Sequence, residues 1–252
     1  MTNINVIPKP TMNYREKLYS NYVSAHTSHL YGIATIDGIK EQFPVWRRYY
    51  GRFLPKDMTS RLLDVGCGNG GFIYWLQQMG FINAVGIDIS PEQVEGAKKL
   101  GIINNIKCVD LTHFLEGREG YYDVIFARDV IEHFTKDEIM DVLSLIFNSL
   151  KLGGTVVIQV PNAQNLISAG LRYSDFTHEV AFTKDSLSQI LRAAGFNEVA
   201  FYPTGPVPKG IRSSIRFVLW KMIEKVFRFY MLIETGSSEG IFTQNIIAVA
   251  VK

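Results

Sequence analysis

The chain has 252 residues, 47% of them apolar and 20% charged, and a net charge of +2. That composition excludes a mainly disordered chain, and the length suits one large domain with a full core. Two cysteines, Cys67 and Cys108, are too few for a disulfide scaffold and lack metal-ligand spacing.

Met1 to Met12 is polar and proline-bearing with no apolar run, so no secretory signal is expected and a cytoplasmic setting is the default. The charge is unevenly spread. Residues 1–60 carry 8 basic and 4 acidic side chains, residues 204–252 carry 7 and 3, and the middle carries 11 and 17. An acidic centre argues against a continuous nucleic-acid footprint, which needs one basic face. It leaves open two basic flanks converging on an anionic surface or a phosphate-bearing substrate.

In chain order, Arg61–Val65 reads as a strand ending at a glycine cluster, and Phe72–Met79 as a helix closed by Gly80. Asn83–Ile89 is a strand that stops at Ser90-Pro91-Glu92-Gln93, which reads as a capping box with proline at the first helical position. Asn105–Val109 and Tyr122–Ala127 are further strands. Thr135-Lys136-Asp137-Glu138 opens a helix with a second capping box, and Thr155–Val160 is a strand ended by Pro161. Thr183 caps a helix that closes at Gly195; Asn197–Tyr202 and Asn245–Val251 are the last strands. The alternation predicts a doubly wound, mostly parallel seven-stranded α/β sheet. Its expected organisation is a helical cap over 1–60, a cofactor-binding domain over 61–202, a helical insertion over 203–244 and a last strand over 245–252.

Leu62 to Gly71 reads strand, then G-x-G-x-G turn, then helix, a geometry in which glycine permits a tight turn and close ligand approach. Asp88 follows Gly70 by 18 residues, near the spacing of a ribose-binding carboxylate, and Asp110 ends the next strand. Gly68, Asp88 and Asp110 therefore meet at one sheet edge. Two ligand classes fit: a dinucleotide, with Gly71 as third glycine, or S-adenosyl-L-methionine, which favours acids such as Asp64 and Asp110.

The motifs then become specific. Leu62–Gly70, Val85-Gly86-Ile87-Asp88-Ile89-Ser90, Tyr121–Phe134 and Leu150–Ile158 resemble, in order, four motifs of the class I S-adenosylmethionine-dependent methyltransferases, with Leu152 where proline is usual. The resemblance implies a Rossmann-like fold and S-adenosyl-L-methionine as cofactor. It places Asp64, Gly66, Cys67, Gly68 and Gly70 at the methionine end and Asp88 on the ribose. Ile89 would pack on adenine, Asp110 would reach its amine, and Leu111 and Arg128 complete the set. Asp175–Thr183 and Leu187–Phe196 resemble the group found with polysaccharide and O-antigen biosynthesis, as does Ile211–Gly236 with Phe242-Thr243-Gln244-Asn245. That narrower resemblance implies methylation of a sugar hydroxyl on a glycan, sugar-nucleotide or lipid-linked saccharide.

A sugar hydroxyl is a poor nucleophile, and a general base is worth roughly 10²–10⁴-fold. His178, oriented by Asp175 or Glu179, is the expected base and His133 the runner-up; both follow strands at the ligand edge. His113 is expected at the surface, and His26 and His29 lie in a tyrosine-rich segment that could close over the acceptor. Asp129, Glu132 and His133 could ligate a metal, but one helix turn rarely supplies enough oxygens, so no metal is expected. Ile211–Ile233 has a wide apolar face bordered by Lys and Arg, the pattern of an interfacial membrane helix, of a helix packed on the core, or of one packed on a second subunit. It is too charged for a transmembrane span. Two other functions share this sheet: a nicotinamide-dependent oxidoreductase and a non-catalytic cofactor-binding subunit.

Overall fold

A computed structural model of the chain describes residues 13–102 and 105–252; the leader reading for Met1 to Met12 lies outside the described residues. The elements are α1 (Tyr14–Ser20), α2 (Ser28–Tyr31), α3 (Ile36–Tyr50), β1 (Leu62–Val65), α4 (Gly71–Gln78), β2 (Ala84–Asp88), α5 (Pro91–Lys99) and β3 (Ile106–Cys108). They continue with α6 (Leu111–Leu115), β4 (Tyr122–Arg128), α7 (Lys136–Ser149), β5 (Leu150–Pro161), α8 (Ser168–Arg172), α9 (Lys184–Ala193), β6 (Glu198–Pro203), α10 (Ile211–Thr235) and β7 (Asn245–Val251).

The seven strands form one sheet in the order β3-β2-β1-β4-β5-β7-β6. The first five are mutually parallel, and β7 runs antiparallel to both β5 and β6. Alternate side chains of the central strands enter two cores. Leu63, Ile125 and Ile158 pack with Ile139, Leu143, Leu187 and Leu191 of α7 and α9. Leu62, Phe126 and Val157 pack with Tyr50, Phe72 and Trp75 of α3 and α4. Because β1 is buried on both faces, its Asp64 has no solvent to face.

The chain turns from β3 back to β4, on the other side of β1. That reversal opens a crevice at the carboxyl ends of β1 and β4, where an open α/β sheet takes its ligand. The connection between β6 and β7 also leaves and re-enters at this edge, since Pro203 and Pro161 both flank the start of β7.

Two local expectations hold and one does not. Thr135 and Thr183 both form reciprocal capping boxes, with Glu138 and Ser186. Ser90 forms none: Asp88 Oδ1 accepts from the Ser90 amide at 2.8 Å, while Ser90 Oγ is buried without a partner. The carboxylate two residues upstream takes the Ser90 amide that the Gln93 side chain would accept from in a capping box. β5 is also longer than expected, running from Leu150 through a register shift opposite Tyr122 and Val124, because Gly153 takes φ +77° and lets the pairing resume.

Candidate active site

The glycine turn sits where β1 meets α4. A Cβ at Gly66 would press on Val130 and one at Gly70 on the Ile106 tip, and both residues take positive φ (+65° and +75°), which together favour glycine at both. At Gly68, with φ +56°, a Cβ would make only ordinary contact, with the Gln93 side chain at 3.7 Å, so this glycine is the least crowded of the three. Its amide donates to Asp88 Oδ2 at 2.8 Å, so Asp88 ties the turn to the end of β2. Burial raises the Asp88 carboxyl above its ordinary range, and the two amide donors oppose that rise. Ile89 stands exposed just beyond it, with 48% of its surface open at the crevice.

Several predicted contacts take other partners. Asp64 is fully buried and gives both carboxylate oxygens to Arg128, at 3.3 Å from Nε and 3.0 Å from Nη2. It therefore anchors Arg128, joining β1 to the end of β4. Burial works against the Arg128 charge, and Asp64 overcomes it and keeps the guanidinium ionised. Cys67 turns its side chain into the core against Gly86, and burial pushes its thiol well up. Leu111 is likewise a core residue. Asp110 caps α6, its Oδ1 accepting from the Thr112 and His113 amides and from the Thr112 hydroxyl, which leaves Oδ2 for a ligand.

Beyond β4, the fold gathers groups from four segments. Among the described residues, Asp129 is the non-glycine residue with a left-handed φ, at 55°. Such a conformation persists only when surroundings fix it. Gln159 Nε2 donates to Asp129 Oδ2 at 2.9 Å, and Tyr50 Oη donates to Gln159 Oε1 at 2.6 Å.

His133 and His178 come together with ring centroids 4.7 Å apart. Asp175 does not orient His178, contrary to expectation, and neither does Glu179. The His178 Nδ1 faces the Arg172 carbonyl at 3.0 Å, whereas the Glu179 carboxylate takes Tyr14 and Arg15. Asp175 instead forms an Asx turn, accepting from the Thr177 amide and hydroxyl at 2.8 and 2.6 Å, and also accepts from Tyr22 Oη at 2.6 Å. Burial would raise its carboxyl, but the Thr177 and Tyr22 donors hold it below the ordinary range, so it is ionised. His26 Nε2 lies 3.4 Å from the same carboxylate.

Thr177 Oγ1 is also 2.8 Å from His133 Nδ1. An ionised carboxylate only accepts, so the one hydroxyl proton points to Asp175 and Oγ1 must accept from His133 Nδ1–H. The lone pair of His133 is thereby left on Nε2. Burial, with His178 second, lowers its pKa to about 4, so the ring is neutral. The same tautomer logic applies to His178, whose Nδ1 must donate to a carbonyl.

Glu132 lies beneath the pair, 1% exposed, with both carboxylate oxygens unpartnered among the described residues. Burial first, and Asp129 second, raise its carboxyl well above the ordinary range. Glu132, His133 and His178 each offer one ligand atom within 4.8 Å of the others, so the possible metal set spans two segments and not one turn. His113 is exposed, as expected.

Thr177, Tyr19, Tyr22 and Gln159 were not singled out by the sequence argument. The D-x-T spacing of Asp175 and Thr177 signals an Asx turn and could have flagged Thr177. The tyrosines reach the site from α1 and the turn after it: Tyr19 lies 6.3 Å from the His133 ring, and burial pushes its hydroxyl up to about 12. Glu92 holds that segment through the Val23 and Ser24 amides.

This edge is that of a nucleoside-cofactor α/β domain, and residues 39–200 match the family model "Methyltransferase domain". The chain belongs to that family. Its cofactor is S-adenosyl-L-methionine, and the Gly68 turn, the half-buried Asp88 and the exposed Ile89 fit that group's methionine, ribose and adenine parts. A phosphoethanolamine N-methyltransferase 3 of Arabidopsis thaliana is 31% identical over 153 residues, 56% of this chain and 29% of that protein. A tRNA U34 carboxymethyltransferase of Actinobacillus succinogenes is 31% identical over 138 residues, 52% of this chain and 41% of that one. The chain thus spans less than half the length of these curated relatives. A S-adenosylmethionine-dependent methyltransferase from Archaeoglobus fulgidus shares the fold at TM-score 0.62 and 22% identity, covering 95% of this chain and 100% of that one. The phosphoethanolamine N-methyltransferase 2 of Haemonchus contortus, solved with S-adenosyl-L-methionine, gives 0.59 and 17%, over 93% and 60%.

Proposed function

We propose that the protein transfers the methyl group of S-adenosyl-L-methionine to a sugar hydroxyl of a glycan, sugar-nucleotide or lipid-linked saccharide, with His133 as general base. The observation that supports this reading is the Asp175–Thr177–His133 chain of hydrogen bonds, which leaves a neutral imidazole whose Nε2 keeps its lone pair. When bound, the cofactor supplies an electrophilic methyl group and leaves as a neutral thioether, so no Lewis acid is required. His133 Nε2 takes the hydroxyl proton, Thr177 and Asp175 stabilise the ring as it becomes charged, and His178 packs against it as a positioning residue. Asp88 holds the ribose, Asp110 Oδ2 the adenine amine, Ile89 the adenine face, and Arg128 the methionine end. Tyr19, Tyr22 and His26 form the acceptor wall and keep water out.

The reading extends to the membrane surface. Among the described residues no helix is long and apolar enough to cross a bilayer. The 25-residue α10 is amphipathic in an inverted sense. Phe217, Trp220, Glu224, Phe227 and Arg228 face the body of the protein. Ile211, Ile215, Val218, Met222, Val226, Phe229 and Ile233 lie on the outward face, at exposures up to 83%. Arg212 and Arg216 border that stripe on one side and Lys221 and Lys225 on the other, with Glu234 the acid at its end. Two copies paired along this stripe would set cations against cations, whereas an anionic lipid surface complements them.

The test of the chemistry compares His133→Asn with His178→Asn in methyl transfer to saccharide acceptors. His133→Asn is expected to lower turnover by roughly 10²–10⁴-fold, and His178→Asn by less. The reverse order would overturn the assignment.

A further inference from the structure

The segment that leads from β5 to the Thr177 turn carries a run of exposed apolar side chains. Leu166, Ile167, Tyr173 and Phe176 are 68–83% exposed within eleven residues of chain. Globular surfaces ordinarily scatter such side chains singly. The run is also poor in charge: residues 152–171 carry none, and Arg172 and Asp175, which follow, both turn to partners. Arg172 Nη2 donates to the Glu179 carbonyl at 2.7 Å, and Asp175 is buried against Thr177 and Tyr22. The fold pins the run at both ends. At its start, buried Asn165 donates to the Phe242 carbonyl at 2.7 Å and accepts from the Ile167 amide at 3.0 Å. Buried Asn162 donates to the Ile241 and Thr243 carbonyls at 2.6 and 2.9 Å. Phe242 in turn packs on Phe227 of α10, with ring centroids 5.8 Å apart. At its end, Phe176 stands between Asp175 and Thr177, the pair that fixes the His133 ring. One chain of contacts therefore leads from α10 through the run to His133.

We infer that Leu166, Ile167, Tyr173 and Phe176 hold the hydrocarbon chain of a lipid-linked acceptor whose saccharide hydroxyl meets His133. The inference rests on the hydroxyl-methylation reading and selects, within it, the lipid-linked class over soluble glycans and sugar-nucleotides. A soluble sugar-nucleotide presents phosphates and hydroxyls, which gain nothing from uncharged aliphatic side chains such as Leu166 and Ile167. A hydrocarbon chain suits them, because removing apolar surface from water is all that such side chains contribute. Placement supplies the second argument. The run adjoins the turn that orients the base, so the chain and the hydroxyl of one molecule are bound side by side. The four side chains are specificity residues and touch no reacting atom.

The experiment measures transfer from methyl-labelled S-adenosyl-L-methionine to two acceptor preparations. One is the organic-solvent extract of a lysate, and the other is the same extract after mild acid hydrolysis, which frees saccharide from its lipid. The proteins compared are the natural chain, Leu166→Ser with Ile167→Ser, and Tyr173→Ser with Phe176→Ser. S-adenosyl-L-methionine affinity by calorimetry reports that each variant is folded. The natural chain is expected to label saccharide in the intact extract at least about tenfold faster than in the hydrolysed one. Each pair of substitutions is expected to remove most of that preference and to leave transfer to the hydrolysed saccharide unchanged. Equal labelling of both preparations by the natural chain, or variants that keep the full preference, would overturn the inference while hydroxyl methylation stands. Variants that lose transfer to both preparations alike would also contradict it. Variants that convert a dimer to a monomer in sedimentation would assign the run to a second copy of the chain and overturn the lipid occupant. Label found only outside saccharide would sink the hydroxyl-methylation reading itself, and this inference with it.

Discussion

Replacing Thr177 by valine isolates the relay behind His133. Thr177 is 1% exposed, and valine matches its shape while removing the hydroxyl. Two bonds disappear: the donor to ionised Asp175 at 2.6 Å and the acceptor for His133 Nδ1 at 2.8 Å. A bond to a charged group is worth roughly 1.5–3 kcal/mol and a neutral one roughly 0.5–1.5 kcal/mol. Asp175 keeps the Thr177 amide and Tyr22, so the charge remains solvated by protein and the fold survives. The neutral bond, at about 1 kcal/mol, biases the His133 tautomer toward Nδ1–H by about fivefold. Imidazole nitrogen correlation spectra report that bias directly. In the natural protein the proton is expected on Nδ1; in Thr177→Val it redistributes toward Nε2, and turnover falls by about fivefold with little change in cofactor affinity. A natural protein protonated at Nε2, or a valine variant with an unchanged spectrum, would refute the relay.

Further outcomes follow from the same geometry. Asp64→Asn leaves the Arg128 charge buried without its partner and is expected to cost roughly 3–5 kcal/mol in urea unfolding. Gly70→Ala meets both a φ of +75° and the Ile106 side chain, and a loss of roughly 2–4 kcal/mol is expected by the same measurement. The unfolded chain binds a proton at His133 near its ordinary 6.5, whereas the native site does so near 4. The His133 contribution is therefore intact above pH 6.5 and lost as pH falls toward 4, by at most roughly 3 kcal/mol, which His133→Asn should remove from the pH–stability curve. Dialysis against a chelator is expected to leave turnover unchanged. Loss of turnover restored by a divalent cation would instead assign Glu132, His133 and His178 to a metal.

The sheet was legible because local signals agreed with it: apolar runs ended at Gly66 and Pro161, and Thr135 and Thr183 capped the helices that followed. The partners at the candidate site were not, because they come from segments far apart in sequence. Tyr22 meets Asp175 across 153 residues, and Arg15 reaches Glu138 across 123. His133 and His178 were both visible as histidines after strands, but the choice between them turns on Thr177, whose hydroxyl has no signal of its own beyond the Asx spacing. Asp64 illustrates the opposite limit. Its position in the turn motif resembled a ligand contact, yet a central strand buried on both faces gave that charge only Arg128 to meet. The apolar face of α10 was evident on a helical wheel, but which face would turn outward was fixed by Trp220 and Phe227, which pack inward and carry the charged Glu224 and Arg228 with them.

Methyl transfer from S-adenosyl-L-methionine to a saccharide hydroxyl is the proposed reaction. Incubating the purified protein with methyl-labelled cofactor and a fractionated lysate tests it most directly. Label in the lipid-linked or soluble saccharide fraction, abolished in His133→Asn, is the expected result. Label confined to RNA, protein or amino-alcohol phosphates would contradict it.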